Sequence, residues 1–192
     1  ENSLLTYDIV TDDEIHWQMS LPERFVFADL LQKIHPRVAI EVGTRYGGSL
    51  RVISMFSEKV FSLDIDPGVQ DHIQSINKVT FISGDSRITF PNLLGQLSIE
   101  NLPLEFVLID ADHSYDGVRQ DISSLLEYIP VKPLHFLLHD SYNPECRRGI
   151  MSVDWTRNPY VHYLELDYVP GLLLGSQKHY RQMWGGLALG KM

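Results

Sequence analysis

Five short apolar segments, each followed directly by acidic or small polar residues, constrain the fold of this chain most strongly. They lie in the middle of the sequence, separated by stretches whose apolar residues recur at helical spacing. Short apolar runs rich in β-branched residues are typical of buried parallel strands. Their alternation with helices predicts an α/β protein with a doubly wound, mostly parallel sheet and helices on both faces. The predicted strands are 38–43, 60–65, 79–83, 104–109 and 135–138.

The remaining elements follow from capping and periodicity. Ser20, with a proline and a glutamate just after it, predicts the start of a helix that ends at His35-Pro36. Further helices are expected at 49–57, 69–76 and 115–129, with 87–102 a weakly patterned helix and loop region and a connection of about 18 residues after Ser141. Two β-prone runs near the C-terminus, around 161–169 and 184–189, predict an antiparallel pair at the edge of the sheet.

The first predicted strand runs into a glycine-rich turn and then into a helix. Glycines at 43, 47 and 48 place backbone N–H groups and a helix N-terminus at the carboxyl end of the strand. In open α/β sheets, nucleotide-like ligands bind in that crevice. Asp64 ends the second strand 21 residues after Gly43, close to the ~20-residue offset at which an acidic side chain reaches a ribose hydroxyl. The spacing therefore predicts ribose binding by Asp64.

The charge of the turn distinguishes between two kinds of ligand. A dinucleotide-binding turn requires a glycine where this chain has Arg45. Glu41 adds a negative charge where a pyrophosphate would lie, and it suits an ammonium or sulfonium instead. These residues favour a cationic nucleoside over an anionic dinucleotide. A nicotinamide-dependent oxidoreductase and a cofactor-binding module without turnover remain alternatives.

Composition excludes several partners. The 192 residues fit one domain, and the net charge of −9 argues against a nucleic-acid surface. The single cysteine, Cys146, allows no intramolecular disulfide and fits a reducing compartment. No apolar run approaches the ~20 residues of a membrane span and no signal peptide opens the chain. We therefore expect a cytoplasmic protein that binds neither nucleic acid nor a membrane, and the sequence leaves open whether it forms a homo-oligomer.

Several of these segments together resemble a known superfamily. Residues 41–49 resemble the first motif of class I S-adenosylmethionine-dependent methyltransferases, and 63–67, 82–86 and 108–112 are similar to its later motifs, in the expected order. The run 109–115 with 138–140 is most similar to the methyltransferase-24 domain family. That family lies near the cephalosporin-hydroxylase-like, macrocin-type and catechol-type O-methyltransferases. The resemblance covers about residues 36–142.

The resemblance implies a Rossmann-like fold, S-adenosylmethionine as cofactor and methyl transfer of the EC 2.1.1 class. It implies one domain with an irregular lead-in (1–19), a cofactor-binding core (36–142) and an acceptor-side loop with edge strands (143–192). The implied cofactor residues are Glu41, Gly43 and Gly47 at the methionine part, Thr44 and Ser49 in the same motif, Asp64 at the ribose, Ile65 beside the adenine, Asp85 and Ser86 at the adenine edge, and Asp110 under the methionine amine.

The same resemblance leaves two interpretations of the residues that end the fifth strand. Metal-dependent relatives end the fifth strand in two carboxylates or a carboxylate and an amide, whereas this chain has His139-Asp140. With Asp110, these residues would offer at most two carboxylates and one imidazole to a divalent ion such as Mg²⁺ or Mn²⁺. Mg²⁺ prefers oxygen ligands, whereas Mn²⁺, Fe²⁺ and Zn²⁺ accept imidazole more readily. The alternative is that His139 and Asp140 line the acceptor pocket without an ion.

His113 is the predicted proton acceptor and, with Asp110, completes the expected catalytic residues. It follows two aspartates at a strand end, where it could take a proton from an acceptor hydroxyl. Alternatively, it is a helix-start histidine bonded to a neighbouring carboxylate. By family analogy, the expected reaction is in-line methyl transfer to an oxygen of a sugar, polyphenol or natural product. Five late aromatic residues could wall the acceptor pocket or belong to the core: Trp155, Tyr160, Tyr163, Tyr168 and Trp184.

Overall fold

The computed structural model describes residues 7–8, 10–12, 16–175 and 181–192. Parts of the predicted lead-in, including Ile15, and of the segment before the last strands lie outside the described residues. The helices are α1 Leu21–Ile34, α2 Gly48–Phe56, α3 Val69–Ile73, α4 Ser86–Ile99, α5 Tyr115–Leu125 and α6 Pro144–Met151, with a 3-10 turn at Trp155–Arg157. The strands are β1 Val38–Val42, β2 Lys59–Asp64, β3 Val79–Ser83, β4 Leu104–Ile109, β5 His135–His139, β6 Tyr163–Val169, β7 Leu172–Leu174, β8 Gln182–Trp184 and β9 Leu187–Lys191.

Seven strands form one sheet in the order β3-β2-β1-β4-β5-β9-β6. Strands β1 to β5 pair in parallel, so their carboxyl ends meet at one edge of the sheet. Strand β9 runs antiparallel to both β5 and β6. This arrangement confirms the predicted doubly wound sheet with an antiparallel pair at its edge. Strands β7 and β8 form a separate two-stranded sheet.

Two apolar layers cover the sheet, one on each face. Alternate residues of β1 point to opposite layers, because successive side chains of a strand face opposite ways. Val38, Ile40 and Val42 pack with apolar residues of α4, α5 and α6, whereas Ala39 packs with those of α1, α2 and α3. Helices therefore cover both faces, as predicted. No described helix is long and apolar enough to cross a membrane.

Three of the predicted helical regions differ in extent from the structure. Helix α4 is continuous despite Pro91 inside it, because four buried side chains on one face, Phe90, Leu93, Leu94 and Leu97, hold it to the sheet. Helix α5 ends at Leu125, and Ile129 is exposed, so the predicted extension to 129 is wrong. Helix α3 likewise ends at Ile73.

The long connection after Ser141 contains a helix that the periodicity did not reveal. Asn143 caps α6 by accepting hydrogen bonds from the N–H groups of Glu145 and Cys146, and Pro144 occupies its first turn. Asparagine followed by proline is a helix-start signal, so the helix was predictable from capping residues.

Candidate active site

A cavity of about 640 Å³ opens at the carboxyl ends of β1, β2, β3 and β4, a size typical of small-molecule sites. Nine of the residues implicated from the sequence line it: Gly43, Thr44, Ser49, Asp64, Ile65, Asp85, Ser86, Asp110 and His113. Four others, Glu41, Gly47, His139 and Asp140, are not among the lining residues. Glu41, His139 and Asp140 are buried just behind the wall, as described below.

Gly43 allows β1 and β4 to approach each other closely. Its φ is +91°, and a Cβ at this position would lie 2.2 Å from the carbonyl oxygen of Asp110. No other residue fits there without moving the backbone that carries Asp110. Gly47 also has a positive φ, +77°, but a Cβ there would meet Ile73. The start of helix α2 explains why a glycine stands at this position. The contact of Gly47 with the methionine part of the cofactor stays a prediction.

Asp64 organises the glycine-rich turn. Its Oδ2 accepts hydrogen bonds of 2.9 Å from the N–H groups of both Thr44 and Arg45, and its Oδ1 accepts one of 2.9 Å from Asp66 N–H. A carboxylate offers about four acceptor sites, so one remains for a hydroxyl group of a ligand in the cavity. Asp64 thus holds the turn even without a ligand, a role that the spacing argument did not foresee.

Glu41 is a fully buried carboxyl group behind the glycine-rich turn. Burial raises its pKa to about 8; the hydrogen bond from Ser49 opposes this shift, and the charges of Asp110 and Asp64 add to it. Ser49 Oγ donates to Glu41 Oε1, whereas Oε2 has no hydrogen-bond partner among the described residues. A buried oxygen without a partner is costly, and a cationic group in the cavity would relieve that cost.

Asp85 caps α4 and also pairs with an arginine. Its carboxylate accepts from Arg87 N–H at 3.0 Å and from the Arg87 guanidinium. The side-chain hydrogen bond to Arg87 lowers the pKa of Asp85. A ligand that uses Asp85 must share it with this cation.

Behind Ser86, burial raises the pKa of Asp121 to about 6.

The segment before α1 covers one side of the cavity. The sequence analysis did not predict this contact. His16, Trp17, Gln18 and Met19 line the wall. The His16 carbonyl lies so near Gly48 that a Cβ there would be 2.5 Å from it. Arg45 reaches across to Gln18 at 2.9 Å. Its left-handed φ of +50° shows that an arginine takes the conformation expected of a glycine at this turn.

Four titratable side chains meet where β4 and β5 end: Asp110, His113, His139 and Asp140. We call them the Asp-His cluster; one ligand atom from each lies within 4.8 Å of the other three. Asp110 Oδ1 lies 2.8 Å from His139 Nδ1 and 3.4 Å from His113 Nε2. Asp140 Oδ2 lies 2.9 Å from His113 Nε2 and 3.9 Å from His139 Nδ1. The structure thus places His113 beside the three residues predicted as metal ligands.

The two acids and two imidazoles of the cluster balance each other's charge. Hydrogen bonds to Asp110 and Asp140 raise the pKa of His113 to about 10. Burial works against the charged form of His139, but Asp110, Glu23 and Asp140 raise its pKa well above the usual value. Burial also opposes ionisation of Asp110, but the two histidines outweigh it and hold its pKa at about 2. Without a ligand, the cluster therefore contains two imidazolium ions and two carboxylates at neutral pH.

The Gly185 N–H group and the Glu23 carboxylate also contact the cluster. Asp140 takes a left-handed φ of +53°, and its Oδ1 accepts from Gly185 N–H at 2.7 Å. Such a conformation is unfavourable for a residue other than glycine and is typical of functional sites. Glu23 of α1 is buried, and its Oε1 lies 3.2 Å from His139 Nε2. The sequence predicted Glu23 only as part of a helix cap.

One of the five late aromatic residues lies at the cluster. The ring centroids of Trp184 and His113 are 6.3 Å apart. Trp155 instead stacks on Phe136 in the core, with centroids 5.8 Å apart. Tyr160 and Tyr163 are exposed, and Tyr168 packs with the layer that contains α1. The late segment therefore contributes one aromatic ring to the region beside His113.

A family model described as a methyltransferase domain matches residues 40–141, more than half of the chain. These residues include the end of β1, all of β2 to β5 and every member of the Asp-His cluster. No curated protein sequence matches the chain significantly.

Solved structures share the fold at low sequence identity. An O-methyltransferase from Bacillus cereus in complex with S-adenosylhomocysteine (SAH) has a TM-score of 0.65 at 16% identity, covering 100% of this chain and 91% of that one. CalS11, a TDP-rhamnose 3'-O-methyltransferase of calicheamicin biosynthesis, has a TM-score of 0.56 at 16% identity, covering 97% and 86%. The N-methyltransferase NodS from Bradyrhizobium japonicum WM9 has a TM-score of 0.54 at 14% identity, covering 94% and 97%.

Proposed function

Since this chain belongs to the methyltransferase domain family and is an S-adenosylmethionine-dependent methyltransferase, we propose that it methylates an oxygen atom of a small hydroxylated acceptor. The Asp-His cluster carries this proposal. A hydroxyl group must lose its proton to become a methyl acceptor, and the cluster places an imidazole and two carboxylates beside the cofactor residues. Two of the solved structures that share the fold are named as O-methyltransferases.

The residues of the cavity fit S-adenosylmethionine, which supplies a methyl group on a sulfonium cation. Glu41 lies buried behind the glycine-rich turn, and its Oε2 has no hydrogen-bond partner among the described residues, so a nearby positive charge would stabilise its ionised form. Asp64 retains one acceptor site for a ribose hydroxyl. Gly43 keeps Asp110 close to the turn. Together these residues fix the ligand so that donor and acceptor are aligned, and alignment accounts for much of the acceleration.

His113 is the group in position to take the acceptor proton. Its ring is partly exposed, whereas His139 is buried. With its pKa raised to about 10, His113 already holds a proton in the ligand-free protein. A positive charge bound beside Asp110 lowers the pKa of a neighbouring imidazolium. We therefore propose that His113 becomes a proton acceptor only when the site is loaded.

The Asp-His cluster also fits a divalent metal ion. Ligand atoms bound about 2.1 Å from one ion lie roughly 3.0–3.4 Å apart. The two contacts between His139 and the carboxylates, 2.8 Å to Asp110 and 3.9 Å to Asp140, bracket that range. Two imidazolium protons and one divalent ion carry the same charge, so exchange of one for the other keeps the site neutral. The oxygen and nitrogen donors favour Mn²⁺, Fe²⁺ or Zn²⁺ over Mg²⁺.

We propose that Asp110, His139 and Asp140 hold such an ion, which would stabilise the negative charge of a deprotonated acceptor oxygen, and that His113 beside them remains the proton acceptor. The net charge of −9 supports a small-molecule acceptor over a nucleic acid.

A turnover assay tests the proposal. The protein, with S-adenosylmethionine and a panel of sugars, polyphenols and amines, should form SAH with hydroxylated acceptors, and mass spectrometry should locate the methyl group on oxygen. The assay is run with Mg²⁺, Mn²⁺ and Zn²⁺ and with a chelator. His113→Asn should reduce turnover by 10²–10⁴-fold without weakening SAH binding. Methylation of nitrogen alone would contradict the proposal, and SAH binding without any turnover would favour a binding module.

A further inference from the structure

Glu23 is a buried carboxylate that faces the Asp-His cluster from a different part of the chain. It lies in the first turn of α1, 116 residues before His139, and is 2% exposed. Its Oε1 is 3.2 Å from His139 Nε2, the ring nitrogen on the far side from Asp110. His139 Nε2 is shielded from solvent, and its contact with Glu23 is a charge contact, since Nε2 has no hydrogen-bond partner among the described residues.

The Glu23 carboxylate is itself fixed by backbone donors from two elements. Ser20 N–H donates to Oε2 at 2.6 Å, and Gly186 N–H donates to Oε1 at 2.7 Å. Neutral donors of this kind hold a carboxylate in its ionised form and fix its direction. A helix cap needs the first of these contacts alone. The contacts with Gly186 and His139 serve no purpose for the cap.

We propose that Glu23 is a positioning residue that fixes the ring orientation of His139, holding Nε2 on its own side and turning Nδ1 toward Asp110 and the centre of the cluster. A histidine that offers one ring nitrogen to a metal or a reacting group commonly gives the other N–H to a carboxylate, which fixes tautomer and ring orientation. His139 has this arrangement, with Glu23 as the carboxylate. The inference rests on the proposed function, because the orientation of His139 matters only if the cluster faces the acceptor.

The geometry assigns separate tasks to the two histidines. His113 is partly exposed and contacts two carboxylates through Nε2. His139 is enclosed between Glu23 and Asp110 and cannot leave the cluster without breaking both contacts. The fixed ring of His139 is therefore suited to hold a group in place, and the exposed ring of His113 to exchange protons.

Long-range ¹H–¹⁵N spectra of the metal-free protein with labelled histidine test the proposal directly. In the wild-type protein we expect His139 Nε2 to carry a proton that exchanges slowly with water. Glu23→Ala should shift or abolish this signal, and Glu23→Gln, which keeps the shape but loses the charge, should shift it less. Ser20→Ala, which alters the same helix start without removing the carboxylate, should leave it unchanged.

Zinc calorimetry gives a second readout that needs no acceptor. Glu23→Ala should weaken Zn²⁺ binding by about 10–100-fold, whereas Ser20→Ala should change it by less than about threefold. An unprotonated Nε2 in the wild-type spectrum would overturn the proposal even if the Glu23 variants failed to fold. Equal effects of Glu23→Ala and Ser20→Ala would overturn it as well. Neither the His139 spectrum nor Zn²⁺ calorimetry depends on turnover, so failure of the proposed methyl transfer would leave both results unaffected.

Discussion

Binding of S-adenosylmethionine or SAH should release a proton from Glu41. Burial raises the pKa of this carboxyl to about 8, so about nine-tenths of the ligand-free molecules hold the proton at pH 7. A cation bound within about 4–6 Å lowers the pKa of a carboxyl by roughly 1–3 units. A shift of about two units would release about 0.8 proton per ligand at pH 7, and less than about 0.1 at pH 9.

The same linkage predicts how affinity depends on pH. Because the ligand favours the ionised form of Glu41, affinity should rise by roughly 20-fold from pH 6 to pH 8 and level off above. Isothermal titration calorimetry in phosphate and in Tris, which differ in ionisation enthalpy, counts the released protons.

Glu41→Gln is the matched control, since its amide oxygen can still accept from Ser49 Oγ. On binding SAH, the variant should not release the proton assigned to Glu41. Its affinity for SAH should also lack the rise between pH 6 and pH 8 that Glu41 causes. Other titratable groups near the cavity, such as Asp121, contribute equally to both proteins. An equal proton count in the two proteins would refute the assignment of the cationic group to Glu41.

Three further predictions concern the turn and the cluster. Asp64→Ala should weaken SAH binding by about 1–3 kcal/mol by calorimetry and lower the melting temperature, because two N–H groups of the turn lose their acceptor. Gly43→Ala should destabilise the protein by about 3 kcal/mol or more in urea unfolding. Gly95→Ala, inside α4 with no atom near its added Cβ, should be neutral or stabilise by up to about 1 kcal/mol. Mn²⁺ and Zn²⁺ should bind more tightly than Mg²⁺ in calorimetry, and more tightly as pH rises, because the ion competes with protons on His113 and His139; equal affinity for all three would contradict imidazole ligation.

The sheet and the position of the site were predictable because both depend on local pattern. Apolar runs identify buried strands, and parallel strands bring the residues after them to one edge, so the meeting of Asp110 with His139 follows from chain order alone. The position of Asp64 below the turn follows from the same topology. The prediction needed no knowledge of side-chain packing.

The features of the site that the sequence did not predict depend on contacts between distant segments of the chain. Glu23 reaches His139 only because α1 packs on the sheet behind β5, and nothing near Glu23 in the sequence distinguishes it from an ordinary capping glutamate. The cover formed by residues 16–19 over Gly48 is likewise a tertiary contact. The protonated state of His113 results from two carboxylates that converge on one ring, which spacing alone does not show.

Strand β9 lies between β5 and β6 although it follows both in the chain. During synthesis, β6 therefore leaves the ribosome before the strand that holds it in the sheet. The turn just before β9 supplies the N–H groups of Gly185 and Gly186 that fasten Asp140 and Glu23. The nascent chain would thus complete its cofactor-binding half first, and Asp140 and Glu23 would gain these contacts only when β9 inserts. Until then β5 exposes an unpaired apolar edge, and in that interval the protein is most prone to aggregate.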